Sequence, residues 1–194
     1  PVRILSVARL VEKKGTDILL DALARLPADL HWRLVHVGGG PLAARLGRRA
    51  RALGIAGRIT WRGALAQDEL LAQYRAADCF ALACRVARDG DRDGLPNVLM
   101  EAQSQALACL ATRVSAIPEL IDDGSTGLLV TENDVPALAA ALQALIRDPA
   151  ARRALGDAGQ ARVRGEFALE ANFARLATRF GLGPAHEDRV LRTA

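Results

Sequence analysis

The chain has 194 residues, 51% of them hydrophobic and 25% charged, enough apolar material for one well-cored globular domain and too much for a disordered one. Its formal charge of +4 would suit an anionic partner, but the excess is small and the arginines are scattered through helical segments, so no nucleic-acid partner is expected. Three cysteines (Cys79, Cys84, Cys109) form no C-x-x-C pair and leave one odd thiol. That argues against a disulfide framework or a structural zinc and for a reducing, cytoplasmic compartment. No apolar run approaches the roughly 20 residues of a membrane span, and the first residues lack a signal-peptide pattern, so a soluble chain is expected.

In chain order, "VRILSV" reads as a strand and "DILLDALARL" as a helix, followed by the strand "WRLVHV" and the helix "PLAARLGRRARAL" with Pro41 as its first residue. The strand "RITW", the helix "DELLAQYRAA" and the strand "CFALA" come next. Beyond a polar loop lie the helix "NVLMEAQSQAL", with Asn97 as its N-cap, and the strands "CLAT" and "TGLLV". After Val130 the pattern turns purely helical: "VPALAAALQALIRDP", "ARRALGDAGQARVRGEF" and "LEANFARLATRF", punctuated by Pro149 and Gly165. Strands alternating with helices predict an α/β fold, a Rossmann-like parallel sheet of about six strands flanked by helices. One domain over residues 1–181 is expected, with a polar tail over 182–194.

In such a sheet, ligands bind at the carboxyl ends of the strands. The first strand is followed by "ARLVEKKG", in which Arg9 and Lys14 could reach a diphosphate, arginine as a planar fork and lysine as a point charge. The second is followed by "GGGPLA", where Gly38, Gly40 and Ala43 satisfy G-x-G-x-x-A and would turn backbone amides and a positive helix end toward the crevice. A dinucleotide site also needs an acid about 20 residues on. Here "RITWRG" supplies none, which disfavours NAD, and Arg62 leaves NADP open.

The densest loop is "RDGDRDGLPNVLME". Asp89, Asp91, Asp93 and Gly94 match the start of a calcium loop, but the twelfth position, which must supply a bidentate acid, holds Met100. No metal is therefore assigned. Asp93 and Glu101, beside the amino end of the helix that opens at Asn97, fit the recognition of hydroxyls on a sugar or ribose instead. His31, His36 and His186 receive no catalytic role, Trp32 and Trp61 read as core or strand-end residues, and Glu119, in "IPEL", could equally cap a short helix.

Taken in order, "SVARLVEKKGTDILLDAL", "VGGGPL", "YRAADCFALA", "DGLPNVLMEA" and "ATRVSAIPELIDDGSTGLLV" resemble the C-terminal, nucleotide-sugar-binding half of the retaining GT-B glycosyltransferases over residues 2–180. That family includes relatives of sucrose and glycogen synthase and bacterial polysaccharide glycosyltransferases. The resemblance implies that Arg9 and Lys14 bind the donor diphosphate. It also implies that the E-x7-E motif falls on Asp93, contacting the donor sugar, and Glu101, contacting the ribose. Backbone groups of Gly38, Gly39, Gly94, Leu95, Pro96 and Asn97 would approach the donor. Catalytic roles fall to Asp93, Lys14 and Arg9, and no cofactor is implied beyond a UDP- or GDP-linked sugar donor.

Two departures stand out: Asp93 occupies the place of the usual glutamate, and "EAQSQALACLAT" places Ala106 and Ala108 where Gly and Pro are common. The resemblance implies an enzyme, a hexosyltransferase acting on a glycan or lipid-linked acceptor in polysaccharide or cell-envelope biosynthesis. Its partner would be an N-terminal acceptor domain absent from this chain, so the isolated domain is expected to turn over poorly. For the full-length protein, a peripheral place at the inner membrane face is a further expectation. Two alternatives stand beside it: half of a nucleotide-sugar epimerase, and a non-catalytic Rossmann module that binds NADP or a partner.

Overall fold

A computed structural model describes residues 1–167. The expected helix over 169–180, the tail over 182–194 and His186 lie outside the described residues. Six strands form one sheet: β1 (Val2–Val7), β2 (Trp32–Val37), β3 (Ile59–Trp61), β4 (Cys79–Leu82), β5 (Ala108–Thr112) and β6 (Leu128–Val130). Their order is β3-β2-β1-β4-β5-β6, and every neighbouring pair is parallel. The helices are α1 (Thr16–Ala24), α2 (Ala43–Ala52), α3 (Gln67–Arg75), α4 (Asn97–Ser104), the short α5 (Ile117–Leu120), α6 (Val135–Arg147) and α7 (Pro149–Glu166).

The central strands are continuous apolar runs because both of their faces are covered. All four residues of β4 and all five of β5 are buried. Leu19, Leu20 and Leu23 of α1, Leu46 of α2 and Leu138, Leu142 and Leu145 of α6 pack on one face. Tyr74 of α3, Leu99 of α4 and Leu120 of α5 pack on the other. Each such leucine contributes about 1.5–3 kcal/mol on burial, so the sheet is pinned by side chains on both sides. Asp148 ends α6 and starts α7, its carboxylate accepting Ala151 N at 2.9 Å with Pro149 behind it, while Asp134 caps α6 through Ala137 N at 2.9 Å.

Three local expectations differ from the structure. Helix α2 begins at Ala43, two residues after Pro41; Leu42 holds the cap position, and its N donates to Leu10 O at 3.1 Å, which holds the turn against the β1 loop. Asn97 is the first residue of α4 rather than its cap; Pro96 holds the cap position and no side chain caps the helix. Gly165 lies inside the last turn of α7 and does not end it.

Candidate active site

The switch in strand order falls between β1 and β4, where an open parallel sheet forms its ligand crevice. Two loops meet there. The β1 loop runs through Arg9 and a 3-10 turn (Glu12–Lys14) to Gly15, and the β4 loop runs from Ala83 to Pro96. Their approach depends on a missing side chain. Gly15 has φ 58°, and a Cβ on it would lie 1.8 Å from Ala83 O, so backbone meets backbone. Gly38 does the same between the β2 and β1 loops, where a Cβ would lie 2.0 Å from Ala8 O at φ 127°.

This contact brings Lys14 onto Asp93, Nζ to Oδ2, at 2.7 Å. Lys13 Nζ reaches Asp91 Oδ1 at 3.0 Å and Asp93 Oδ1 at 3.5 Å, and the Cys84 thiol donates to Asp93 Oδ2 at 3.6 Å. Partial burial alone would raise the Asp93 carboxyl, but Lys14 and Lys13 outweigh it and hold the group below the usual carboxylate range. The Asp91 carboxylate in turn holds Lys13 above the usual ammonium range. Burial pushes the Cys84 thiol up to about 12, against the opposing pull of Lys14, so it stays a protonated donor. Asp91 and Asp93 are thus turned onto lysines, and among the described residues no group of three His, Cys, Asp or Glu side chains could hold a metal.

Glu101, in the middle of α4, does not touch Asp93; its Oε2 accepts the Tyr74 hydroxyl at 2.8 Å. Burial, then that carboxylate, pushes the Tyr74 phenol well above its ordinary value, so it remains a donor. Arg9 is exposed at the end of β1, and its guanidinium has no hydrogen-bond or ion-pair partner among the described residues. Gly39, Gly94 and Asn97 are exposed, Gly38 and Leu95 half-buried and Pro96 buried; Gly94 O accepts Ala116 N at 3.4 Å.

The structure therefore brings Lys14 and Asp93 together and fixes Glu101 separately, while Arg9 is exposed, with no partner among the described residues. Lys13, Tyr74 and Cys84 escape sequence reasoning. Lys13 has a weak signal as the second cation of "EKKG", whereas Tyr74 and Cys84 sit in apolar patterns that read as core. Glu119 is exposed within α5 and caps nothing. Trp32 is buried in the core, and Trp61 is exposed at a strand end.

His36 is fully buried on β2, where its Nε2 lies 3.2 Å from Ala8 O and its Nδ1 has no partner among the described residues. Burial, opposed by the Ala8 carbonyl, lowers it to about 4. Ala106 takes φ 57°, a left-handed conformation, at the position where the resembled family commonly has glycine. Helix α7 crosses there through Gly156, whose added Cβ would lie 2.0 Å from Ala106 O.

Comparison with known proteins bears on the family and the fold. A GDP-mannose-dependent alpha-(1-6)-phosphatidylinositol monomannoside mannosyltransferase of Mycolicibacterium smegmatis is 35% identical over 176 residues, which is 90% of this chain and 46% of the relative. The chain thus spans about half the length of the curated relatives it matches. The C-terminal domain of the glycosyl transferase group 1 family protein LpcC from Francisella tularensis superposes with a TM-score of 0.77 at 24% identity, covering 87% of each chain. HepE of Anabaena, solved in complex with UDP, superposes with a TM-score of 0.80 at 23% identity, over 92% of this chain and 48% of the other. Both share the six-stranded, helix-flanked architecture of a GT-B half. The sequence model described as Glycosyl transferases group 1 matches residues 1–162, and the chain belongs to that family.

Proposed function

We propose that this chain is the donor-binding half of a retaining glycosyltransferase. In this reading it holds a nucleotide-linked hexose for transfer to a glycan or lipid-linked acceptor in polysaccharide or cell-envelope assembly. The observation that carries the reading is the meeting of Lys14 and Asp93, at 2.7 Å, from loops on the two sides of the sheet switch point. A cation for a diphosphate there adjoins a carboxylate for sugar hydroxyls. The GDP-mannose and UDP named for the mannosyltransferase and for HepE support a UDP- or GDP-linked donor.

Each group has a chemical task. Lys14 and the solvated Arg9 approach the diphosphate, and their charge stabilises the leaving group as the glycosidic bond to it breaks. Asp93 accepts hydroxyls of the transferred sugar, and its depressed titration keeps it ionised for that purpose. Glu101, oriented by Tyr74, accepts the ribose hydroxyls. Amides of Gly38, Gly39, Gly94, Leu95 and Asn97 complete the cradle. The acceptor comes from a second domain outside this chain, at the inner face of the membrane where the acceptor is lipid-linked.

Calorimetric titration with GDP, UDP, ADP, their sugar conjugates and NADP, each with a chelator present, tests the proposal. One nucleoside diphosphate should bind without divalent metal, and Lys14→Ala should weaken it by about tenfold or more, the loss of one charge-assisted hydrogen bond. Unchanged affinity in that variant, or a preference for NADP, would overturn the reading.

A further inference from the structure

Between the two loops lies Arg85, half-buried, whose side chain contacts the β1 segment twice. Its Nε donates to Glu12 O at 3.1 Å and its Nη2 to Asp17 Oδ2 at 3.2 Å, in the first turn of α1. Its backbone N donates to Lys13 O at 2.9 Å. The carbonyls of the two residues before Lys14 are therefore both claimed by Arg85, and Glu12 O also accepts the amide of Gly15, which follows Lys14, at 3.1 Å. Gly15 itself sits against Ala83 O. The backbone on both sides of Lys14 is thus fastened to the exit of β4.

The exit of β4 is anchored in its turn. Thr112 Oγ1, at the end of β5, donates to Cys84 O, and Val86 N donates to Glu132 Oε2 at 2.8 Å, beyond β6. The segment that carries Arg85 leads on to Asp93, which the Cys84 thiol touches. One guanidinium therefore ties the loop bearing Lys14 to the loop bearing Asp93. A planar fork is needed because a carbonyl and a carboxylate on consecutive elements must be reached at once; a lysine ammonium reaches one of them.

We propose that Arg85 is a positioning residue, which sets where Lys14 stands relative to Asp93 and thereby the affinity for the donor diphosphate. The inference rests on the reading that Lys14 holds that diphosphate. Preorganisation is the physical link: with its backbone fixed, Lys14 loses only side-chain freedom on binding, whereas a loosened turn must also be ordered.

The test compares the parent with Arg85→Ala, Arg85→Lys, Lys14→Ala and the double variant Lys14→Ala/Arg85→Ala. Arg85→Ala should weaken the nucleoside diphosphate bound by the parent by about tenfold, Arg85→Lys by roughly threefold, and Arg85→Ala should add nothing once Lys14 is alanine. Without ligand, Arg85→Ala should speed amide exchange at Gly15 and residue 85 by roughly five- to tenfold and leave Leu110 and Ala111 in β5 unchanged. Losses that multiply in the double variant, an Arg85→Lys variant equal to the parent, or unchanged exchange would each overturn the proposal. Should Lys14→Ala alone leave affinity unchanged, the diphosphate reading falls while the exchange result still decides whether the clamp exists. If Arg85→Ala does not fold, Arg85→Lys carries both measurements.

Discussion

If Lys14 holds the donor diphosphate as proposed, replacing Asp93 with asparagine separates the two partners that compete for it. In the ligand-free protein Lys14 Nζ lies 2.7 Å from Asp93 Oδ2 and Lys13 Nζ 3.5 Å from Asp93 Oδ1. A diphosphate that takes up Lys14 draws that ammonium away from the carboxylate. A charge-assisted hydrogen bond contributes about 1.5–3 kcal/mol and a neutral one about 0.5–1.5 kcal/mol. The competition removed by Asp93→Asn is therefore about 1–1.5 kcal/mol, and a plain nucleoside diphosphate should bind between unchanged and roughly tenfold tighter. Its sugar conjugate shares that gain but loses the carboxylate assigned to the sugar hydroxyls, which contributes about 1–3 kcal/mol where the hydroxyl is buried. The ratio of the two affinities should thus move by about fivefold to a hundredfold against the sugar conjugate. The assay is calorimetric titration of parent and variant with both ligands, after matched melting curves. If both ligands weaken equally, or the ratio stays within about twofold, Asp93 does not serve the sugar and the reasoning fails.

Three further outcomes follow from the geometry. Tyr74→Phe keeps the buried ring but removes the donor to Glu101 Oε2, so denaturant melts should show a loss of about 1 kcal/mol, with diphosphate binding weaker by a few-fold; no change in either would detach Glu101 from the ribose. Ala106→Gly relieves a left-handed alanine, and the strain removed, about 1–2 kcal/mol, exceeds the glycine entropy term of about 0.5–1 kcal/mol, so the variant should melt slightly higher; a lower midpoint would contradict this. His36, lowered to about 4, stays neutral in the fold while the unfolded chain takes up a proton below about pH 6.5. Its contribution is present above that pH and is lost as the pH falls toward 4, by up to about 1.4 kcal/mol per unit, so denaturant melts at pH 7, 5.5 and 4.5 should show a slope that His36→Leu flattens.

Much of this molecule is legible in local pattern. The apolar runs that became β1 to β6 and the three- and four-residue spacings that became the long helices are short-range signals, set by which face each element must bury. Element ends were less legible, because the turn at Pro41 answers to Leu10 O in another loop rather than to its own helix. The ordered motifs around Lys14, Asp93 and Glu101 were also visible, since a loop that must follow a strand and precede a helix leaves few positions for charged groups.

By itself, then, the sequence determined the kind of elements, their order and the loops that hold the charges. Only the tertiary structure decided which charges meet. Lys13 and Asp91 lie 78 positions apart, Arg85 and Asp17 68, and Tyr74 and Glu101 27, and no periodicity links them. The first two pairs meet through the placement of β4 beside β1 and through Gly15, whose missing side chain lets one loop rest on the other; Tyr74 and Glu101 meet because α3 and α4, the helices before and after β4, pack on the same face of the sheet. Strand order is settled by burying both faces of the sheet at once, a property of the whole packed chain, and an ion pair at 2.7 Å is one of its consequences.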